Sequence, residues 1–451
     1  MHSIQPFSQS RWRFSLRAFG AALSVLALVA VAGCDTLEVP DPNAPSPDAV
    51  SIQSLVSGVE GAMRADMNVY IQVTGIFGRE AYYFEPADPR YTGELFTGPL
   101  DPGGFLLTRP WRSRYRTIRN ATILLDRAAE LEGAERAGVE GFAKAIIGYQ
   151  LLLNLNYLDD NGIKIEFSED VATPFVGKQQ AFSEIERYFN ESLSALSNAG
   201  GAFSFSLTSE GFGGFDTPAT FAQFVRGLQA RVALYQEKWQ AALDALGGSF
   251  VDANAPMDLG VYHAYSTGSG DRLNPVFEVP TAPSVKLRAH PDVKAFAEPG
   301  DQRYLSKVLD RTDDPGFNPS PPAANGLVSP LVITLAQSST DRFPIMRNEE
   351  LLLIRAEANF RLGNMAAAEA DVNAVRAAAG LAPVTLSPDT ALDQILHERM
   401  YSLLVEGHRW IDLRRTGRLG TLPTDQVGTP PQPGKIFDKW PRPINEVPEG
   451  G

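Results

Sequence analysis

Five histidines, a single cysteine and 53 carboxylates are the side chains from which most catalytic or metal chemistry in this chain would have to come. His397-Glu398 begins like a zinc-protease motif, but HExxH requires histidine at position 401, and the residue there is Tyr401. His408 would sit roughly 16 Å from His397 along a helix axis, too far to share one metal. No GxSxG elbow presents a nucleophile. Gly211-Phe212-Gly213-Gly214 and Gly268-Ser269-Gly270 lack the preceding strand and the spacing of a phosphate loop. Asp159-Asp160-Asn161-Gly162 has half the spacing of a calcium loop, but Tyr157 stands where the first ligand belongs, so it reads as a turn. These absences lead to the expectation of a protein that is not an enzyme and carries no metal or cofactor.

Recognition is the chemistry better supplied. Between Gly75 and Trp111, Phe77, Arg79, Glu80, Tyr82, Tyr83, Phe84, Tyr91 and Phe96 are interleaved with prolines and glycines, without helical periodicity. Flat rings can stack on the apolar face of a pyranose while neighbouring charged groups bond its hydroxyls. A second stretch, Gly260 to Pro344, holds Tyr262, His263, Tyr265, Asp271, Arg272 and Tyr304 and is long for a passive connection. The expected ligand-binding residues are Arg79, Glu80, Tyr82, Tyr83, Phe84, Tyr91, Tyr262 and Tyr265. The competing expectation is that Phe77, Tyr82 and Phe84 merely cover helix ends.

The elements that must position these loops are helices. Val56, Val59, Met63 and Met67 recur at helical spacing, as do Trp111, Tyr115, Ile118, Thr122 and Leu125. Further helices are predicted over Gly141 to Leu158, Phe182 to Leu196, Pro218 to Tyr235, Lys238 to Leu246, Asn348 to Leu362, Met365 to Ala379 and Leu392 to Arg415. Strands are expected only over Gly162 to Phe167 and Leu327 to Leu335. Two helix pairs repeat at an offset of 126 residues: Ala230, Leu234, Trp239, Ala241 and Ala242 align with Ala356, Phe360, Met365, Ala367 and Ala368. Small residues there would let two helices approach, with turns at Gln236-Glu237-Lys238 and Gly363-Asn364, as in tetratricopeptide repeats. The expected fold is mainly α, a helical-hairpin scaffold with loop-rich insertions at about 75–110 and 260–344 of a single domain, 51–451. Trp111, Trp239 and Trp410 are expected in packing.

Composition limits the partners. At 44% hydrophobic and 21% charged the chain can bury a large core, and its net charge of -13 argues against nucleic acid and polyanionic polysaccharides. Arg11, Arg13 and Arg17 precede an uncharged run from Ala18 to Gly33, shorter than the roughly 20 residues of a membrane span but suited to a signal peptide. Val31-Ala32-Gly33-Cys34 resembles a bacterial lipobox, so Cys34, the only cysteine, is the expected lipidation site and residues 1–33 the expected leader. The acidic, proline-rich residues 34–50 read as a tether lifting the domain off a membrane.

The last hundred residues carry a family resemblance. Arg347-Asn348-Glu349-Glu350-Leu351-Leu352-Leu353-Ile354-Arg355-Ala356-Glu357 is followed by Ile395-Leu396-His397-Glu398-Arg399, then by Glu406-Gly407-His408-Arg409-Trp410-Ile411-Asp412-Leu413-Arg414-Arg415 and Pro441-Arg442-Pro443-Ile444. With Trp111, Tyr115 and Asn120 in an early helix, this resembles the SusD/RagB family of outer-membrane nutrient-binding lipoproteins. The sequence departs from it in lacking an asparagine-proline-rich tail and in its Asn156 to Phe167 corner. The resemblance implies a surface-exposed, lipid-anchored protein of the outer membrane. It would capture a glycan, or alternatively a peptide, for a SusC-like TonB-dependent transporter. A structural repeat adaptor that touches no ligand is the other class left open. Within the motif, Glu406 with Arg409 and Asp412 with Arg415 lie at pairing distance on a helix and read as scaffold glue.

Overall fold

Helix α1 (Ile52–Met63) begins at Ser51, whose hydroxyl accepts the Ser54 N–H, and it buries Val56, Val59 and Met63. The chain turns at Asp66, and Met67 starts α2 (Met67–Phe77) rather than continuing α1; α2 is almost wholly buried. Helices α3 (Phe105–Ala128), α4 (Gly133–Leu158) and α5 (Lys178–Leu196) pack side by side. Gly141 and Gly148 lie on one face of α4, where a Cβ would come within 2.6 Å of Leu196 and 2.7 Å of the Phe189 ring. Glycine is required there by close helix approach. The structure, a computed structural model, describes residues 50–167, 173–317 and 322–446; Cys34, the expected leader and nearly all of the tether lie outside them.

The repeat is realised in space. Helix α6 (Pro218–Tyr235) starts with a capping box of Thr217 and Thr220 and a proline at its first position, and α7 (Trp239–Gly247) folds back on it. Helices α8 (Asn348–Arg361) and α9 (Met365–Ala378) form the second pair, and α7 packs against α8. Glu237 and Gly363, equivalent positions in the two turns, both have positive φ, 57° and 83°. Ala230, Ala242, Ala356 and Ala368 are fully buried between helices, whereas Ala241 and Ala367 face solvent and play no part in the close approach. The fold is mainly α and tetratricopeptide-like.

The expected helix from Leu392 to Arg415 is broken. It becomes α10 (Ala391–Ser402) and α11 (Arg409–Arg415), because Val405 and Gly407 adopt φ of 54° and 88° between them. Glu406 therefore leaves the helix and pairs with Arg347 at 2.6 Å and Lys307 at 3.2 Å; Arg409 instead donates to the Gly78 carbonyl. The Asp412–Arg415 pair forms as expected at 2.9 Å, joined by Arg399 on Asp412 and Glu357 on Arg415. Trp111 and Trp410 are buried; Trp239 is half-buried beside the Arg361 guanidinium.

The two loop-rich insertions meet in one antiparallel sheet. β1 (Ala81–Tyr83) comes from the first; β3 (Leu287–Ala289), β4 (Val308–Asp310) and β5 (Leu331–Ile333) come from the second, in the order β1-β3-β5-β4, with Ala81 opposite Ala289. A separate ribbon joins β2 (Gly260–His263) to β6 (Phe343–Arg347), which runs directly into α8. Gly162 to Phe167 makes only one bridge, Ile163 with Val176, and Leu327 to Leu335 splits into two short strands. Among the described residues no helix is long and apolar enough to cross a membrane.

Candidate functional site

Most of the aromatic loop after α2 is interior. Arg79 lies beneath the Phe96 ring, its guanidinium 4.6 Å from the ring centroid, pairs with Asp425 at 2.8 Å and donates to the Ile76 and Lys435 carbonyls. Tyr82 donates to the same carboxylate at 2.6 Å, and His290 reaches it at 3.1 Å. Burial would raise the Asp425 pKa, but His290, Tyr82 and Arg79 together hold it below the usual range. Glu80 is fully buried, accepting the Val405 N–H. Phe84 stacks on Tyr82, and Tyr91 packs between Tyr83 and Phe105. Arg79, Glu80, Tyr82, Phe84 and Tyr91 are thus structural and form no exposed sugar platform; Tyr83 alone of this group is half-exposed. Strand pairing lays β3 against β1, and Asp425, outside that sheet, closes over Tyr82. Tyr82→Phe, which deletes a hydrogen bond to a partly buried carboxylate, is expected to lower unfolding free energy by roughly 1–3 kcal/mol in urea titration, without an effect on ligand affinity.

The second insertion supplies the open chemistry. Tyr262 on β2 is covered on one face by the Arg342 guanidinium, 3.8 Å from the ring centroid, and its hydroxyl donates to the Asp258 carbonyl. These residues line a cleft of about 390 Å³, with Phe343 and Pro344 as apolar wall and the Lys307–Glu406–Arg347 group within. Asp258 and Arg342 approach to 3.7 Å, and both side chains remain largely exposed. Asp341 also lines the cleft but is occupied by the Gln337 and Ser338 amides and the Ser338 hydroxyl. Burial would raise Glu406, yet Arg347 and Lys307 hold its pKa below the ordinary value, so it stays ionised and is a poor proton donor. An exposed Arg–Asp pair beside an aromatic ring is suited to holding paired hydroxyls rather than to proton transfer. Tyr265 is buried near Arg64, outside this cleft.

Of the residues expected from sequence, Tyr262 lines this cleft; its partners Asp258 and Arg342 carry no sequence signal of their own. Asp258 and Arg342 are 84 positions apart and meet only through the β2–β6 ribbon. Proline and glycine flanking Tyr262 was the one local signal. Among the described residues no group of three or more histidine, aspartate or glutamate side chains is arranged to hold a metal.

Residues 332–446 match the sequence model of the SusD family. Among curated proteins there is no significant match. Solved structures share the fold: a laminarin binding SusD-like protein is 16% identical, with 88% of this chain and 96% of that chain covered at a TM-score of 0.59. A SusD superfamily protein from Parabacteroides distasonis is 15% identical, covering 88% and 97% at 0.62. Surface glycan-binding protein A from Bacteroides thetaiotaomicron, solved in complex with laminarihexaose, is 16% identical and covers 82% and 90% at 0.63. The matched C-terminal segment includes β6, the α8–α9 pair and the broken α10–α11 motif, and the remainder of the described chain has the fold of those proteins. Residues 332–446 thus carry the sequence pattern of the SusD family, and the described chain has the fold of these SusD-like proteins.

Proposed function

We propose that the protein is a surface glycan-binding lipoprotein of the outer membrane. It is anchored through Cys34, takes up an oligosaccharide in the cleft at Tyr262, and passes it to a SusC-like TonB-dependent transporter. It performs no catalysis on the ligand. The observation that carries the reading is the exposed Asp258–Arg342 pair beside the Tyr262 ring in a cleft of oligosaccharide-segment size, on the fold of proteins that bind laminarin and laminarihexaose. Ring and hydroxyl contacts offset only part of the entropy lost by a flexible oligomer, so affinity of the isolated protein is expected in the micromolar to millimolar range, about 4–8 kcal/mol. Enclosure against a transporter would add effective concentration to each weak contact.

The test is calorimetry of soluble protein starting at Asp35 against glycans that include laminarin oligosaccharides, with a peptide panel alongside. A saturable glycan isotherm is expected, and the double variant Asp258→Ala, Arg342→Ala should weaken it at least roughly tenfold while leaving thermal unfolding nearly unchanged, since both side chains are exposed. Unaltered affinity in that variant would remove the cleft from the reading. Binding confined to peptides would replace the glycan as ligand. Silence across both panels from folded protein would favour an adaptor that engages no ligand alone.

A further inference from the structure

Tyr262 also borders a second cavity, of about 300 Å³, whose polar lining differs from that of the cleft. Its walls come from distant parts of the chain: Glu60 of α1 and Arg64 just after it, Thr208 and Phe212, His263 of β2, Asp271 in the loop that follows, and Ile345 of β6. Arg64 is committed elsewhere, lying 2.6 Å from Asp271 and donating to the Ala264 carbonyl. The remaining oxygen of Asp271 accepts the Ser266 hydroxyl at 2.7 Å. Glu60 accepts the Thr208 N–H at 3.1 Å and has no ion pair among the described residues. Burial pushes its pKa up, countered only in part by Thr208 and, more weakly, by Arg64.

His263 adds an independent, unpartnered polar group to the lining. The side chain is 3% exposed and its Nε2 has no hydrogen-bond partner. Burial, reinforced by the nearby Arg114 and Arg64 charges, pushes its pKa down to about 3, so the ring is neutral and adds no positive charge. The lining itself holds two carboxylates and one guanidinium, and Glu60 is the carboxylate without an ion pair among the described residues; Arg114, outside the lining, is bonded to the Met63 and Ala65 carbonyls. Hydroxyls of Ser57 and Ser269 and the apolar faces of Phe212 and Ile345 complete the lining. Buried polar groups without partners are costly, and a ligand that pairs them recovers that cost on binding.

We propose that this cavity binds a compact, hydroxylated primary amine of hexosamine size, with Glu60 as the counter-ion to its ammonium group. Its hydroxyls meet the serine and threonine side chains, and its apolar face rests on Phe212. The proposal stands apart from the glycan reading of the cleft, since Asp258 and Arg342 do not line this cavity.

Soluble protein starting at Asp35 is titrated near neutral pH with glucosamine, N-acetylglucosamine and glucose, followed by calorimetry and ligand-observed NMR. Glucosamine is expected to bind roughly tenfold more tightly than either neutral sugar. Glu60→Gln keeps an acceptor for the Thr208 N–H and should bring glucosamine down to the level of glucose. Ser57→Trp, at an exposed lining position, should block all three. Thermal unfolding confirms that each variant folds; if Ser57→Trp does not, the Glu60→Gln comparison alone decides. Equal affinity for the amine and the neutral sugars in the wild type, or an undiminished preference in Glu60→Gln, overturns the assignment, as does the absence of glucosamine binding. The Asp258→Ala, Arg342→Ala protein should retain the glucosamine response even if oligosaccharide binding fails.

Discussion

Glu80→Gln is expected to stabilise the protein increasingly as pH rises. Glu80 is fully buried, with one carboxylate oxygen on the Val405 N–H and the other unpartnered. Burial pushes its pKa up from 4.5 to about 8, against smaller opposing effects of the Val405 N–H and Arg409. In the unfolded chain the same carboxyl ionises near its ordinary value. Between those two values the folded state holds a proton that the unfolded state has lost, so this group's contribution is fully present below about pH 4.5 and disappears as pH climbs towards 8. Glutamine can accept from Val405 in the same way and has nothing to ionise. Unfolding of wild type and variant, followed by denaturant titration across this range, should nearly coincide in mild acid and diverge by roughly 3–5 kcal/mol at the alkaline end. A difference that does not change with pH would mean that Glu80 titrates as an ordinary surface carboxylate.

The opposite pH behaviour, and a comparable cost, is expected at Arg231 and Glu350. Their side chains are buried, and the guanidinium meets the carboxylate in two bonds of 2.6 Å while also donating to the Ile345 carbonyl. Burial alone would raise Glu350, but Arg231, helped by His408 and Arg399, holds its pKa below 4.5. A carboxyl whose folded pKa is depressed contributes stability above its unfolded value and loses it as pH falls through the folded one. Glu350→Ala strands a buried guanidinium with one carbonyl for company. The expected loss is about 3–5 kcal/mol of unfolding free energy at neutral pH, with the deficit shrinking in acid. Arg231→Met combined with Glu350→Leu should recover most of it, because both desolvated charges are then gone; the Ile345 carbonyl, left without its donor, prevents full recovery. If the double variant is as unstable as Glu350→Ala, the loss is one of packing and not of charge.

Most charges of the C-terminal motif are likewise spent inside the scaffold, Arg347 and Glu406, which line the cleft, being the exception. Glu350, Glu357, Arg399, Asp412 and Arg415 are all buried or nearly so and are spent on holding α6, α8, α10 and α11 together. The reading of the motif as scaffold was legible because charges at helical spacing have a predictable use. Their actual partners were less so. One continuous helix would pair Glu406 with Arg409, but positive φ at Val405 and Gly407 redirects Glu406 to Arg347 and Lys307.

Features governed by local order could be read directly from the chain. The helical pairs, the equivalent turns at Glu237 and Gly363, and the tetratricopeptide-like character were readable because a helix repeats every few residues and a tight reversal needs a residue tolerant of positive φ. The resemblance carried by Arg347 to Arg415 was equally local, and the matched segment includes it. Long-range packing, by contrast, settles which aromatic side chains border an open cleft. Tyr82 and Tyr262 occur in similar proline- and glycine-rich surroundings and both are buried, yet Tyr82 is sealed by Asp425, 343 positions away, whereas Tyr262 borders two cavities. Whether a ring borders a cleft is set by the segment that packs over it, and for both tyrosines that segment is distant in sequence: the chain around Asp425 over Tyr82, and Arg342, just before the β2–β6 ribbon's second strand, over Tyr262.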